Sequence, residues 1–329
     1  VTPAGVLSVA LLLTAAPGDP PRLPKGAELT YTGAVAEAVD RPGQRYRRAH
    51  ALEVRVLVLD RQPGWADAAV LTLLRRTDEP AEPGRPPSPP AARLDLVRLP
   101  DDGPPHRIAP PGPAPLRLAA GLPARPFPTA PLDSFAPFEF AMFPDPAAPW
   151  EPAGFAFVAA ERCRELRLVR QSDNWDRPRG GETAWRRAEA VWVSARDGTA
   201  RRVERTVCQR DGIGPAPAVL IETRYELKDQ ARVLGRTFDR YRREVELAYT
   251  AAEEVAPLVR DAARLPPKAF DARLARLAAY LEETDPGTPY REAVLAVRRQ
   301  LEAARRGEVV PAGTAYPAGP TGPPDEPRR

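Results

Sequence analysis

Proline sets where this chain can build regular structure. It has 43 prolines in 329 residues, against a usual ~5 %. They crowd into 80–153 and 308–329 and thin out over 154–214 and 218–256. A proline has no N–H to give to a ladder or a helix interior, so dense runs exclude both. Residues 78–92 and 100–131 are therefore expected to be loop or extended, polyproline-like chain inserted between ordered parts.

Where proline is sparse, apolar and polar residues alternate. Leu52, Val54, Val56 and Val58 are interleaved with Glu53 and Arg55, the period of a half-buried strand. Stretches 24–36, 45–60 and 68–76 read as a three-stranded meander, with a short strand at 94–99. A second set follows at 161–171, 183–194, 201–209, 219–227 and about 235–249. In 219–227, Ile221, Thr223, Tyr225 and Leu227 share one face, opposite Glu222, Arg224 and Glu226. In 235–249, Val245, Leu247 and Tyr249 share a face. Asp197-Gly198 marks a tight hairpin turn.

The period then changes. Val255, Leu258, Val259, Ala262 and Leu265 form a helical stripe over 252–265, and Phe270, Leu274, Leu277 and Leu281 form a second. Tyr290, Val294, Val297 and Leu301 form a third, with Thr288 as N-cap, Pro289 at the first helical position and Gly307 beyond its end. The expected fold is α+β, mostly β: a curved antiparallel sheet or open half-barrel over about 24–250, then a helical segment of three short helices over 252–306. Residues 307–329 lack apolar periodicity and are expected to be a disordered tail.

Residues 6–16 are an apolar run of the length of a signal-peptide core, too short for the ~20 residues that span a bilayer. Small residues Thr14, Ala15 and Ala16 suit cleavage after Ala16, although no Lys or Arg precedes Arg22. The expectation is export to the periplasm or cell envelope, with 17–250 as the mature β-rich domain. No later segment is apolar enough to be a membrane span. The net charge is +4, with 48 basic and 44 acidic residues. Basic and acidic residues interleave, as in Arg201-Arg202-Val203-Glu204-Arg205, which argues against the one-signed stripe of a nucleic-acid binder.

Little here can do chemistry. There are two histidines, two cysteines and one methionine. Cys163 and Cys208 lie in expected strands of one sheet region, so a disulfide and a pair of separate thiols both remain open. No Cys-x-x-Cys, Gly-x-Ser-x-Gly or His-Glu-x-x-His spacing occurs. Asp173, Asp176 and Glu182 cluster in a turn, but Trp175, Arg177 and Arg179 spoil it as a calcium loop. His50 and His106 qualify as general bases by residue type alone. The expectation is no catalytic residue, no metal site and no cofactor.

Aromatic residues are the remaining candidates. Trp185 and Trp192 stand seven apart on one strand and so face opposite ways, one toward a core and one toward a partner or ligand. Trp175 stands nearby. Phe135, Phe138, Phe140, Phe143, Trp150, Phe155 and Phe157 form a dense group, expected to pack a core or cover a sheet edge. Phe138 and Phe140 are its candidate ligand or partner contacts.

The stretches 175–207 and 23–35 resemble a group of high-GC bacterial exported β-rich proteins of unknown function. In many of these a thioredoxin-like domain follows the helical part; no Cys-x-x-Cys follows here. A weaker architectural resemblance is to periplasmic lipoprotein-carrier half-barrels, which implies a sheet that shields an acyl chain. The function expected is an exported, non-enzymatic binding or scaffold protein for a protein partner or an apolar ligand. The alternatives are an accessory region of an exported thioredoxin-like redox system and a weak hydrolase or metal-dependent enzyme.

Overall fold

A computed structural model of the chain describes residues 23–41, 44–78, 90–101, 103, 105–108, 142–144, 148–176, 184–210, 217–283 and 286–307. The strands are β1 (Ala27–Arg41), β2 (Gln44–Gln62), β3 (Trp65–Arg76), β4 (Ala91–Pro100), β5 (His106–Arg107), β6 (Glu151–Val158), β7 (Glu161–Gln171), β8 (Ala184–Ser194), β9 (Ala200–Arg210) and β10 (Val219–Arg232). They form one open antiparallel sheet in the order β5-β4-β3-β2-β1-β10-β9-β8-β7-β6. The fold is α+β and mostly β, as the alternation implied.

The order describes two meanders. Strands β1 to β5 run outward from the centre to one edge. Strands β6 to β10 start at the other edge and run back in, and β10 pairs with β1 along thirteen matched positions. The chain between Ile108 and Glu151 must therefore travel from one edge of a ten-stranded sheet to the other. At ~4.8 Å per strand that is roughly 43 Å along the sheet.

Three helices follow: α1 (Gly235–Arg260), α2 (Lys268–Glu283) and α3 (Arg291–Arg305). Residues 235–249, expected as a strand, belong to α1. Val245, Leu247 and Tyr249 do alternate, but the stripe that is buried is Phe238, Val245, Ala248, Ala252 and Val255. Its steps of seven, three, four and three follow a 3.6-residue period. The third helix also starts later than its capping signal: it begins at Arg291, with Tyr290 rather than Thr288 at the N-cap. Gly307 does stand past its end at φ 70°, a left-handed conformation that glycine adopts without strain.

The helices cover one face of β1–β4. Leu57 and Leu59 of β2, Ala69 and Leu71 of β3, and Leu94 and Leu96 of β4 pack with Val245, Phe270, Leu277, Val294, Val297 and Leu301. Tyr290 of α3 donates to Glu28 Oε1 of β1 at 3.5 Å, and Arg299 donates to the Pro90 carbonyl at 2.9 Å. On the same face, β7–β10 carry Glu165, Arg167, Glu204, Glu222 and Arg224, and none of the described helices lies over them.

Strand β6 lies where the sequence suggested an aromatic core. Phe143 is buried, but Phe155 and Phe157 are 61 % and 74 % exposed on an outermost strand. Pro152 and Gly154 masked the strand pattern. Phe135, Phe138 and Phe140, like 1–16, Glu182 and the tail from 308, lie outside the described residues.

Candidate ligand-binding face

The face of the sheet opposite the helices is concave. Gly33 on β1 stands between Tyr31 and Val35, whose side chains point to this face. A Cβ placed on Gly33 would run into the Arg224 carbonyl oxygen and come within 2.5 Å of the Tyr225 Cα. The β10 backbone thus lies on the side toward which a Gly33 side chain would point. The sheet folds toward that face at the β1–β10 seam, and a missing side chain is what allows it.

This face is a single apolar surface spanning eight strands. It runs from Val97 of β4 through Ala68 and Val70 of β3, Val54 and Val56 of β2, and Leu29 and Val35 of β1. It continues through Ile221 and Tyr225 of β10, Val203 and Val207 of β9 and Val191 of β8 to Leu166 of β7. No helical residue belongs to it. Its further members are Leu23, Met142, Phe143 and the half-buried Trp150. The last three lie in the β5–β6 connection, so part of the chain that crosses between the edges rests on the concave side.

A polar rung crosses this surface. Strand registers align Glu189 of β8, Arg205 of β9, Thr223 of β10, Val35 of β1, His50 of β2 and Arg76 of β3. Arg205 Nε donates to Glu189 Oε1 at 2.8 Å and its Nη2 reaches the same oxygen. Arg187 Nη2 lies 2.6 Å from Glu189 Oε2. Burial alone would raise the Glu189 carboxyl, but the charges and hydrogen bonds of Arg205 and Arg187 more than reverse this and hold it below the usual range. Burial pulls Arg205 down from its ordinary value, yet a guanidinium keeps its charge across physiological pH. Arg93 and Asp95 form a second buried pair at 2.8 Å.

Other polar groups on this face are not matched. The Tyr31 hydroxyl, Thr72 Oγ1, Thr223 Oγ1 and Glu37 Oε2 are buried with no hydrogen-bond partner among the described residues. Tyr31 and Tyr225 meet edge to face, ring centroids 5.7 Å apart. Burial raises the Tyr31 hydroxyl well above its ordinary value. It also raises the Glu37 carboxyl, although Tyr46 donates to Glu37 Oε1 at 3.0 Å. Buried polar atoms are almost always satisfied, so four on one surface mark it as a place for water or a ligand.

Of the residues singled out in the sequence, His50 and Trp185 lie on this face and the other described ones fall elsewhere. Trp185 is on the concave side but 41 % exposed, opposite Gln209. Trp192 is buried on the convex side with Val158 and Cys163. Trp175 is buried after β7 beneath Arg210, whose guanidinium is 4.0 Å from its ring centre. Cys163 and Cys208 are both free. They align with Ser194 and Arg186 of β8, eight positions or ~26 Å apart along that strand, far beyond disulfide reach. Burial raises both thiols, so neither is poised as a thiolate. His50 and His106 align with positions nine apart on β3, ~30 Å, and do not form one site. Asp176 accepts from Gln171 at 3.1 Å. Among the described residues no group of three or more His, Cys, Asp or Glu could hold a metal, and no described helix is long and apolar enough to cross a membrane.

The rung itself was not legible in sequence. Glu189, Arg205 and Thr223 read as ordinary strand polars, and only the pairing register brings them together. A polar residue at an inward position of two or more adjacent strands is the signal that could have found it.

No protein-family model matches the chain, and no curated protein matches it. Solved structures similar to it include LprF from Mycobacterium bovis, at 8 % identity over 63 % of this chain and 88 % of that one, TM-score 0.24. A domain described as an outer membrane lipoprotein-sorting protein, from Vibrio parahaemolyticus, is 10 % identical over 67 % and 92 %, TM-score 0.21. A DUF1329 family protein from Desulfovibrio piger is 10 % identical over 64 % and 87 %, TM-score 0.18. Likenesses this faint do not bear on what the chain does.

Proposed function

We propose that this chain is a non-catalytic binding protein whose concave face holds the apolar part of an amphipathic ligand, such as an acyl chain. The observation that carries the reading is the surface itself. Eight strands present one apolar face that none of the described helices covers, and Tyr31, Thr72, Thr223 and Glu37 place on it polar atoms unmatched among the described residues. Apolar lining with a few convergent polar groups is the usual make-up of a small-molecule site. The apolar wall would take the chain of such a ligand, and the unmatched hydroxyls would take its polar end. Met142, Phe143 and Trp150 occupy part of the face and would lie against the bound molecule. Export to the cell envelope, read from the apolar run at 6–16, belongs with this reading.

Trp150 supplies the test. A fatty acid brominated along its acyl chain quenches tryptophan on contact. Saturable quenching that disappears in Trp150→Phe is the expected result. Quenching that is absent, or that a variant with both Trp150 and Trp185 replaced by Phe leaves intact, would remove the concave face as the binding surface.

A further inference from the structure

A second surface is built at the opposite margin of the molecule. Among the described residues, strand β6 is the outermost strand on its side of the sheet and pairs only with β7. A two-residue turn, Ala159-Ala160, joins them, and Val158 pairs with Glu161. In such a hairpin the closing pair exchanges hydrogen bonds and the pairs alternate from there. Ala156 and Val158 thus spend their backbone groups on β7, while the N–H and C=O of Phe155 and Phe157 point outward.

The same two residues expose their rings. Opposite them on β7 stand Arg164 and Arg162, and the Arg162 guanidinium lies 4.2 Å from the Phe155 ring centre. The convex side of β6 is fixed by Val158 and Ala156 packing with Cys163 and Trp192, so the edge is held rigid. Protection is confined to its first half, where Pro152 lacks an N–H and a register shift falls beside Gly154, at φ 110°. Of the acids facing this half of β6, Glu161 is engaged with Arg201 at 2.8 Å and Glu165 with Arg167 at 2.5 Å, and Glu151 stands at the far end of the strand. On the side of the two rings β7 presents Arg162 and Arg164, and Arg162 is exposed. The local charge is thus basic.

We infer that the β6 edge at Phe155–Val158 takes an extended acidic segment of a partner polypeptide as an added strand. Main-chain bonds to Phe155 and Phe157 give the pairing. Glutamates of the incoming strand lay their methylenes on the two phenyl rings and their carboxylates on Arg162 and Arg164. Aromatic and arginine side chains are the residues that most often anchor protein interfaces. A second copy of this chain fits less well, because two such margins would bring arginines toward arginines.

Fluorescence anisotropy of a labelled decapeptide alternating Glu and Val tests this, with the Lys-for-Glu peptide as control. The acidic peptide is expected to bind, to weaken as salt rises and to lose at least tenfold in affinity against Phe157→Pro. That variant removes an outward N–H and leaves the β6–β7 ladder intact, and circular dichroism verifies its fold. Phe157→Ala keeps the N–H and separates the ring's share from the backbone's; an intermediate loss is expected. Equal binding of both peptides, no binding of either, or affinity unchanged by Phe157→Pro would each overturn the inference. Self-association of the chain that Phe157→Pro abolishes would overturn it in favour of a homodimer edge.

Discussion

Gly33 and Tyr225 face each other across the β1–β10 seam, and the backbone of β10 occupies the place a Gly33 side chain would need. The contact joins the two meanders and sets the bend of the sheet. Gly33→Ala would force backbone against backbone, with no flexible side chain to give way. A loss of about 3 kcal/mol is expected, the upper end of the range for overpacking. Urea unfolding of the variant measures it; a loss below about 1 kcal/mol would mean that the seam does not depend on the missing Cβ.

The buried pair on the concave face gives a second expectation. Glu189→Ala leaves the Arg205 guanidinium, 4 % exposed, without its carboxylate. Removing one partner of a buried ion pair costs about 3–5 kcal/mol. The double variant Glu189→Leu with Arg205→Met should recover most of that loss, since apolar replacements of a buried pair are often neutral. Thermal and urea unfolding of the two variants distinguish them; equal destabilisation would show that the pair stabilises the fold beyond its own desolvation cost.

The β6–β7 turn is strained. Ala159 and Ala160 sit at φ 47° and 65°, a region that costs a residue with a Cβ roughly 1–2 kcal/mol. Ala160→Gly should therefore stabilise the chain by about 0.5–1 kcal/mol, even after the greater freedom of glycine in the unfolded state. A shift of the urea midpoint to lower concentration would contradict this.

Glu253 of α1 links stability to pH. Burial alone raises its carboxyl above the usual 4.5, and both its oxygens lack hydrogen-bond partners among the described residues. The folded chain thus holds this proton more tightly than the unfolded chain. The resulting stabilisation is fully present below 4.5 and is lost as pH rises through the folded value. Glu253→Gln should unfold at higher urea than the parent at pH 8 and at the same urea at pH 4. An advantage of equal size at both pH values would rule out the titration as its cause.

The sequence made the strands legible wherever alternation met a clear turn. Strand β7 begins and ends where the pattern placed it, and β8 to β10 follow within a few residues except for the longer C-terminal end of β10. Strand β2 reads as half-buried from its alternation, yet its centre is buried on both faces, by Val56 and Leu57. Helix α1 was hidden because its buried stripe relies on Ala248 and Ala252, which carry little hydropathy, while Val245, Leu247 and Tyr249 imitate a strand. Strand β6 was hidden by Pro152 and Gly154. The concave polar rung could not be read locally. Its members lie 16 and 18 residues apart, and register, which long-range pairing sets, decides whether they meet.

The most direct measurement of the binding function is native mass spectrometry of the chain isolated from its own source. The expected spectrum shows the polypeptide with an additional small mass that solvent extraction releases as an acyl-bearing molecule. A spectrum of the bare polypeptide alone, from protein that also fails to take up the brominated fatty acid, would contradict the reading of the concave face as a ligand surface and leave it as a filled core.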